Sequence, residues 1–167
     1  MNTYTSIESQ ILSFIDNENS GNFEELIIQA HLFQKQNCPA LRNYCESVCK
    51  EPFSWQDIPP LPTEAFKNSK KPIISFPEVQ ISSTFLTSGT TGEMRGSHHF
   101  RTLKLYEKSI RSAWSNLELP NLPMICLTQS SISSPDSSLI HMLSTLGGKF
   151  LINSSGHLNH SKLKLVI

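Results

Sequence analysis

The residue types best suited to chemistry in this chain are concentrated in one segment, Thr87-Ser88-Gly89-Thr90-Thr91-Gly92. Its two glycines permit positive φ angles and a close approach of the backbone to a ligand. Backbone N–H groups and the four hydroxyls of the segment can then converge on phosphate oxygens, because nests of such donors bind anions. Arg95, shortly after the segment, adds a positive charge within reach of the same ligand. The pattern predicts a phosphate-binding loop.

This loop differs from the two best-known nucleotide-binding signatures. Gly89 and Gly92 are three residues apart and no lysine follows, so the segment is not a Walker A loop. It does not fit G-x-G-x-x-G either, which removes support for a dinucleotide site. The alternative is a flexible Ser/Gly surface loop. The apolar strand predicted just before the loop favours phosphate binding, because phosphate loops commonly follow such strands.

Other chemically interesting side chains have simpler interpretations. His98 and His99 either position a substrate or phosphate, or form an ordinary exposed pair, and the sequence leaves both open. His141 is predicted to be a packed or surface residue of a helix. Asp136, with Ser137 and Ser138, is interpreted as a helix N-cap, since the G-x-S-x-G elbow of Ser-His-Asp hydrolases is missing. We assign no catalytic residue from the sequence.

Four cysteines, Cys38, Cys45, Cys49 and Cys126, raise the question of a zinc site. Cys45 and Cys49 are four residues apart, so one helix face can carry both, with His31 upstream. No C-x-x-C pair is present, however, and the spacing fits no common zinc module. We therefore expect no metal site. The cysteines are interpreted as buried thiols without disulfides, as is usual in a reducing compartment.

Residues 1–50 are predicted to form a helical segment. Apolar residues recur there every three to four positions in three stripes, which indicates amphipathic helices packed against other elements. The stripes are Ile7, Ile11, Leu12, Phe14 and Ile15, then Phe23, Leu26, Ile27, Ala30 and Phe33, then Leu41, Tyr44, Cys45 and Val48. A polar break at residues 19–22 separates the first two, and Pro39 opens the third.

Residues 51–71 are predicted to be a proline-rich connector, because proline fixes φ and removes a backbone donor. Residues 72–167 form an α/β part that carries the phosphate loop. Strands are expected at 73–76, 81–86, 124–128 and 149–153, and helices at 102–117 and 137–146. This alternation favours βαβ units. We therefore predict an α/β fold in which the N-terminal helices pack on a partial, mainly parallel sheet.

Composition excludes several functional classes. The chain has 167 residues, enough for one domain, and its formal net charge is zero. A nucleic-acid binder or a polybasic membrane binder needs an excess of basic side chains, so neither is expected. The N-terminus lacks the features of a secretory signal, and no apolar run approaches the length that spans a bilayer. The expected location is the cytoplasm.

The loop matches the phosphate loop of the adenylate-forming acyl/aryl ligase superfamily. Within it, the chain most resembles the LuxE-type acyl-protein synthetase family of bacterial bioluminescence. Residues 57–67 (DIPPLPTEAFK) resemble that family's segment before the loop. Residues 97–109 resemble its post-loop segment, and residues 137–142 (SSLIHM) resemble a later helix. Order and spacing agree over residues 25–150.

The resemblance implies a fold, an activity and a set of ligands. The fold implied is that of the N-terminal domain of adenylate-forming ligases, and the activity is ATP-dependent activation of a fatty acid or other carboxylate, with Mg²⁺. Residues 87–92 and, more weakly, Arg95 would hold phosphate and neutralise charge as pyrophosphate departs. The family then passes the acyl group to its own cysteine and onward to a partner acyl-reductase or acceptor protein.

The chain also departs from the family pattern. The superfamily often has a Pro-Lys pair after the loop, where this chain has Glu93-Met94-Arg95. Family members run to roughly twice this length, which indicates one incomplete LuxE-like domain, and the acyl-accepting cysteine falls in the additional part. Cys126 does not match that cysteine. An acyl/aryl-CoA ligase and a truncated, non-catalytic remnant remain as alternatives.

Overall fold

The computed structural model describes residues 4–17, 21–48, 52, 54–87, 95–120 and 122–165. Its contacts divide the chain into two compact units, Met1–Leu105 and Tyr106–Ile167. Helices and short strand pairs occur together, so the expected mixed α/β class is confirmed. Among the described residues, no helix combines the length and apolarity needed to cross a bilayer.

Three consecutive helices form the N-terminal part of the first unit: α1 (Tyr4–Asp16), α2 (Phe23–Asn37) and α3 (Pro39–Val48). Helix α2 contacts both α1 and α3. It begins where the Asn22 side chain accepts a hydrogen bond from the Glu24 N–H at 3.0 Å, a common way to satisfy a helix N-terminus. Ile7 and Phe33 are buried, as the apolar stripes predict.

The proline-rich stretch is attached to these helices by specific contacts. It contains a 3-10 turn (Trp55–Asp57) and the short helix α4 (Ala65–Asn68), and a second 3-10 turn follows it (Glu78–Gln80). The Trp55 indole donates to a Glu24 carboxylate oxygen at 3.3 Å, and the Tyr44 hydroxyl donates to the Pro60 carbonyl at 3.0 Å. The stretch is therefore an ordered part of the first unit.

The first unit ends with an antiparallel pair, β1 (Ser83–Leu86) and β2 (Ser97–Phe100). Phe85 is buried and its ring lies 5.3 Å from that of Phe100, so one face of the pair belongs to the core. The strand expected at 73–76 is not formed, whereas β2 was not predicted at all. Its sequence, Ser-His-His-Phe, has little of the apolar content on which strand prediction depends.

The second unit contains most of α5 (Lys104–Ser115), followed by β3 (Ile125–Cys126), α6 (Ser138–Thr145), β4 (Lys149–Phe150) and α7 (His160–Lys164). Strands β3 and β4 pair in parallel around α6, so this part is the βαβ unit that the sequence predicts. Leu151, Cys126 and Ile140 are buried here. Gly147 adopts a φ of +79° between α6 and β4, a conformation that favours glycine.

The expectation of a mainly parallel sheet is wrong for the described residues. They form two separate two-stranded sheets, and the longer pair, β1 with β2, is antiparallel. The physical reason is the connection between the strands. Only ten residues join β1 to β2, and parallel neighbours need a longer crossover than that.

Candidate functional site

The ends of the predicted phosphate loop are joined at the mouth of the β1–β2 hairpin. The Thr87 N–H donates to the Gly96 carbonyl at 2.8 Å, and the Gly96 N–H donates to Oγ1 of Thr87 at 2.8 Å. Nε of Arg95 donates to the Thr87 carbonyl, also at 2.8 Å. We call these three hydrogen bonds the loop clamp. They fix the points where the chain leaves β1 and enters β2.

Two of the predicted site residues, Thr87 and Arg95, belong to the loop clamp. The Thr87 hydroxyl accepts a bond from Gly96 but keeps its own O–H donor. The Arg95 guanidinium, which carries five N–H donors, donates to the Thr87 carbonyl through Nε. Both residues carry donor groups of the kind that bind anions. Ser88, Gly89, Thr90, Thr91 and Gly92 lie outside the described residues, so their predicted role stays a prediction.

Lys67 is a second cation at the hairpin mouth that sequence reasoning did not select. Helix α4 contacts β2, and Cγ of Lys67 lies 3.3 Å from the position that a Cβ on Gly96 would occupy. The same position is 3.3 Å from Thr87 Oγ1. Gly96 therefore lies between the side chains of Lys67 and Thr87. The only sequence signal was that Lys67 ends the segment resembling the LuxE-type family.

His98 and His99 take part in the hairpin itself. The two ring nitrogens of His99 lie 2.9 Å from Thr84 Oγ1 and 3.1 Å from Ser97 Oγ, both on the same face of the pair. The His98 ring packs against Phe66 with centroids 4.6 Å apart. These contacts give both histidines a positioning role: His99 ties β1 to β2, and His98 holds α4 against β2.

A cavity of about 400 Å³ lies beside the hairpin in the first unit. Phe66 and His99 line it, and so do apolar side chains from α3 and the proline-rich stretch, including Leu41, Ile58 and Leu61. Ligand sites in proteins are typically such mostly apolar hollows with a few polar groups. The cavity is large enough to take an apolar group in the same unit as the loop clamp.

The described cysteines are buried, and His141 makes a contact between two helices. Cys38, Cys45 and Cys126 are buried thiols, as expected, and burial raises the pKa of the Cys126 thiol. Cys49 lies outside the described residues. Nε2 of His141 lies 3.1 Å from a Glu107 carboxylate oxygen, which links α6 to α5. Within the described part of the chain, no group of three or more His, Cys, Asp or Glu side chains is placed to hold a metal ion.

Comparison with models of known protein families, with curated proteins and with solved structures gave no match.

Proposed function

We propose that this chain binds ATP at the loop of residues 87–92, with Arg95, and activates a fatty acid as its acyl-adenylate, for transfer to a protein thiol. The observation that carries the proposal is the loop clamp. It holds a Ser/Thr/Gly-rich loop between fixed ends and keeps Thr87 and Arg95 beside it. Preorganised donors stabilise developing charge because they need no reorganisation during the reaction.

The donor set around the clamp suits an anion. Thr87 offers a hydroxyl proton, Arg95 a guanidinium and Lys67 an ammonium, and none of the three is an acid. Phosphate oxygens are recognised by this combination of hydroxyl and cationic donors. The same set does not suit direct coordination of Mg²⁺, which prefers carboxylate and phosphate oxygens. Mg²⁺, when bound, would supply additional charge neutralisation at the nucleotide phosphates.

The proposed reaction has two steps: adenylate formation, and then attack of the acceptor thiolate on the acyl carbon, from which AMP leaves. The first step is a displacement at phosphorus. A carboxylate oxygen of the fatty acid attacks the α-phosphorus of ATP, forming a carboxylate–phosphorus bond. The bond from this phosphorus to the bridging oxygen of the β-phosphate breaks, and pyrophosphate leaves with the electron pair. We assign the holding of the departing phosphates to Thr87, Arg95 and Lys67, which lie near the ends of the loop. The mainly apolar cavity beside the hairpin supports an apolar carboxylate as the substrate.

ATP–pyrophosphate exchange tests the proposal directly. The full chain is incubated with labelled pyrophosphate, ATP, Mg²⁺ and fatty acids of increasing length, and label incorporation into ATP is measured. We expect exchange that depends on the fatty acid, together with a higher melting temperature in ATP. Absence of both effects would overturn the proposal. ATP stabilisation without exchange would instead favour a non-catalytic remnant that retains the nucleotide site.

Substitutions at Thr87 test the role of its hydroxyl. Thr87→Val keeps the shape but removes the hydroxyl, so exchange should fall about 100-fold if this donor acts on the departing phosphates. Thr87→Ser keeps the hydroxyl and should retain most of the rate. Thr63→Val is the matched control, since Thr63 is an exposed threonine of the connector. Equal rates for Thr87→Val and the control would exclude the assigned role.

The acyl acceptor separates the proposed acyl-protein synthetase from an acyl/aryl-CoA ligase. Labelled fatty acid is supplied with ATP and either a candidate acceptor protein or free CoA. Label retained on a protein thiol, and released by hydroxylamine, supports acyl-protein synthesis and a partner acyl-reductase or acceptor. Formation of the CoA thioester alone would contradict the protein-thiol version while leaving the adenylation step in place.

A further inference from the structure

A second, smaller cavity of about 160 Å³ lies in the first unit, at the end of β2 opposite to the phosphate loop. Its walls are largely apolar: Ile7, Ile11, Ala30, Phe33, Phe76 and Phe100. Two side chains of opposite charge line the same space, Glu8 from α1 and Arg101 immediately after β2. Charged side chains are uncommon in the walls of a largely apolar cavity unless they are paired.

Glu8 is only 9 % exposed, yet it has few partners. Thr102 Oγ1 donates to its Oε1 at 2.9 Å, and no other donor to this carboxylate is found among the described residues. A carboxylate can accept about four hydrogen bonds. Because burying a charged group is costly unless it is paired, Glu8 has capacity for a positively charged donor.

The Arg101 guanidinium also has few partners. Its guanidinium lies over the Tyr4 ring, 4.4 Å from the ring centroid, and forms no hydrogen bond or ion pair within the described residues. Glu8 and Arg101 are therefore not paired with each other. Both charges nevertheless act on the same phenol: Glu8 raises the pKa of Tyr4 and Arg101 lowers it. Carboxylate, guanidinium and phenol are thus close neighbours around one cavity.

We propose that this cavity binds a small zwitterion, an α-amino acid with a short apolar side chain. Its ammonium group would pair with the Glu8 carboxylate, and its carboxylate would pair with the Arg101 guanidinium. A ligand with a single charge would leave one of the two protein charges unpaired, which penalises binding. The apolar walls suit the side chain of the ligand.

The size of the cavity favours a small ligand. One water occupies about 30 Å³, so the cavity corresponds to about five waters, which suits glycine, alanine or valine. His99 lines the wall, but its nitrogens are held by Thr84 and Ser97, so it contributes ring surface. The site is separate from the loop clamp and does not depend on the proposed function.

Ligand analogues test the proposal on the unaltered chain, without nucleotide. Binding of glycine, L-alanine and L-valine is measured by ligand-observed NMR and calorimetry, and compared with isobutylamine and isovalerate, which lack one charge of valine. We expect at least one amino acid to bind about tenfold tighter than either analogue. Failure of all three amino acids to bind, or equal binding of a singly charged analogue, would overturn the proposal.

Two variants test which charged group of the ligand each side chain binds. Glu8→Gln keeps the shape and the acceptor for Thr102, and should weaken valine binding about tenfold while binding isovalerate at least as well as the wild type. Arg101→Gln should weaken both valine and isovalerate. Glu25→Gln, at an exposed acid of α2, is the matched control and should bind like the wild type. Unchanged valine binding by Glu8→Gln would contradict the assignment; if a variant does not fold, the analogue comparison decides.

Discussion

At the scale of single residues, Gly148 shows how closely the second unit is packed. A Cβ at this position would lie 2.7 Å from Sγ of Cys126 and 2.8 Å from the carbonyl oxygen of Leu143. Both distances are shorter than a van der Waals contact, and one of the two neighbours is backbone. Glycine is required here by space.

We expect Gly148→Ala to destabilise the protein by about 1–3 kcal/mol, because the added methyl group forces backbone or core side chains to move. Thermal unfolding followed by circular dichroism measures the change. Gly21→Ala is the control, since a Cβ there would contact nothing within 4 Å. A Gly148→Ala protein as stable as the control would mean that α6 can shift away from β3 at little cost.

Ionisation of Tyr4 makes the free energy of unfolding depend on pH in the alkaline range. Burial, followed by the Glu8 carboxylate, raises the pKa of Tyr4 above its usual 10.0, while Arg101 opposes the shift. The folded chain therefore holds this proton more tightly than the unfolded chain. Its contribution to stability is complete below pH 10.0 and is lost as the pH rises through the raised pKa.

Tyr4→Phe cannot ionise, so its stability should fall less steeply than that of the wild type above pH 10.0. Urea unfolding at a series of alkaline pH values measures the two slopes. Measurements at neutral pH serve as the internal control for the structural effect of losing the hydroxyl. Parallel slopes above pH 10.0 would show that another group governs the alkaline loss.

At the scale of elements, helix α6 begins where local sequence chemistry requires. The Ser137 hydroxyl accepts a hydrogen bond from the Ile140 N–H at 3.3 Å, so the N-cap is Ser137, within the segment 136–138 where the sequence predicts a cap. Such a bond satisfies one of the backbone donors left without partners at a helix start. The signal lies within four residues, which is why sequence alone could find it.

Ser137→Ala should reduce the stability of the protein by about 1 kcal/mol, the usual effect of losing an N-cap. Ser138→Ala is the matched control, because this neighbouring exposed serine lies inside α6 and its hydroxyl is not the cap. Chemical denaturation of both variants measures the difference. Equal stabilities would show that water replaces the Ser137 cap without loss.

The β1–β2 hairpin, unlike the cap of α6, could not be predicted from local sequence. Its register pairs Thr84 with His99 and Leu86 with Ser97, across the predicted phosphate loop. Strand β2 is polar, and it is stabilised by hydrogen bonds between His99 and the hydroxyls of Thr84 and Ser97 rather than by an apolar run. Hydrophobic periodicity cannot detect such a strand, because the partners that stabilise it are distant in sequence.

At the scale of the whole molecule, each unit has a core of its own. Ile7, Phe33 and Phe85 are buried in the first unit, and Cys126, Ile140 and Leu151 in the second. Local destabilisation can therefore be followed separately in each unit by hydrogen exchange, which reports the opening of cooperative parts of a structure.

We expect Gly148→Ala to accelerate amide exchange in α6, β3 and β4 while leaving β1 and β2 close to their wild-type rates. Exchange followed by mass spectrometry of peptides from both units gives the comparison. Wild type under identical conditions is the reference. Equal acceleration in both units would identify the chain as a single cooperative structure, contrary to this expectation.

The sequence by itself determined the mixed α/β class, the three N-terminal helices, the cap of α6 and the segment richest in phosphate-binding residue types. These features depend on periodicity and capping within a few neighbouring residues, which a single sequence displays. It also identified Thr87 and Arg95, which the loop clamp brings together.

Only the tertiary structure decided the antiparallel pairing of β1 with β2, the place of Lys67 beside Thr87, and the shared cavity of Glu8 and Arg101. These neighbours are separated by 11 to 93 positions along the chain. Their proximity results from packing of whole elements against one another, and no local propensity encodes it.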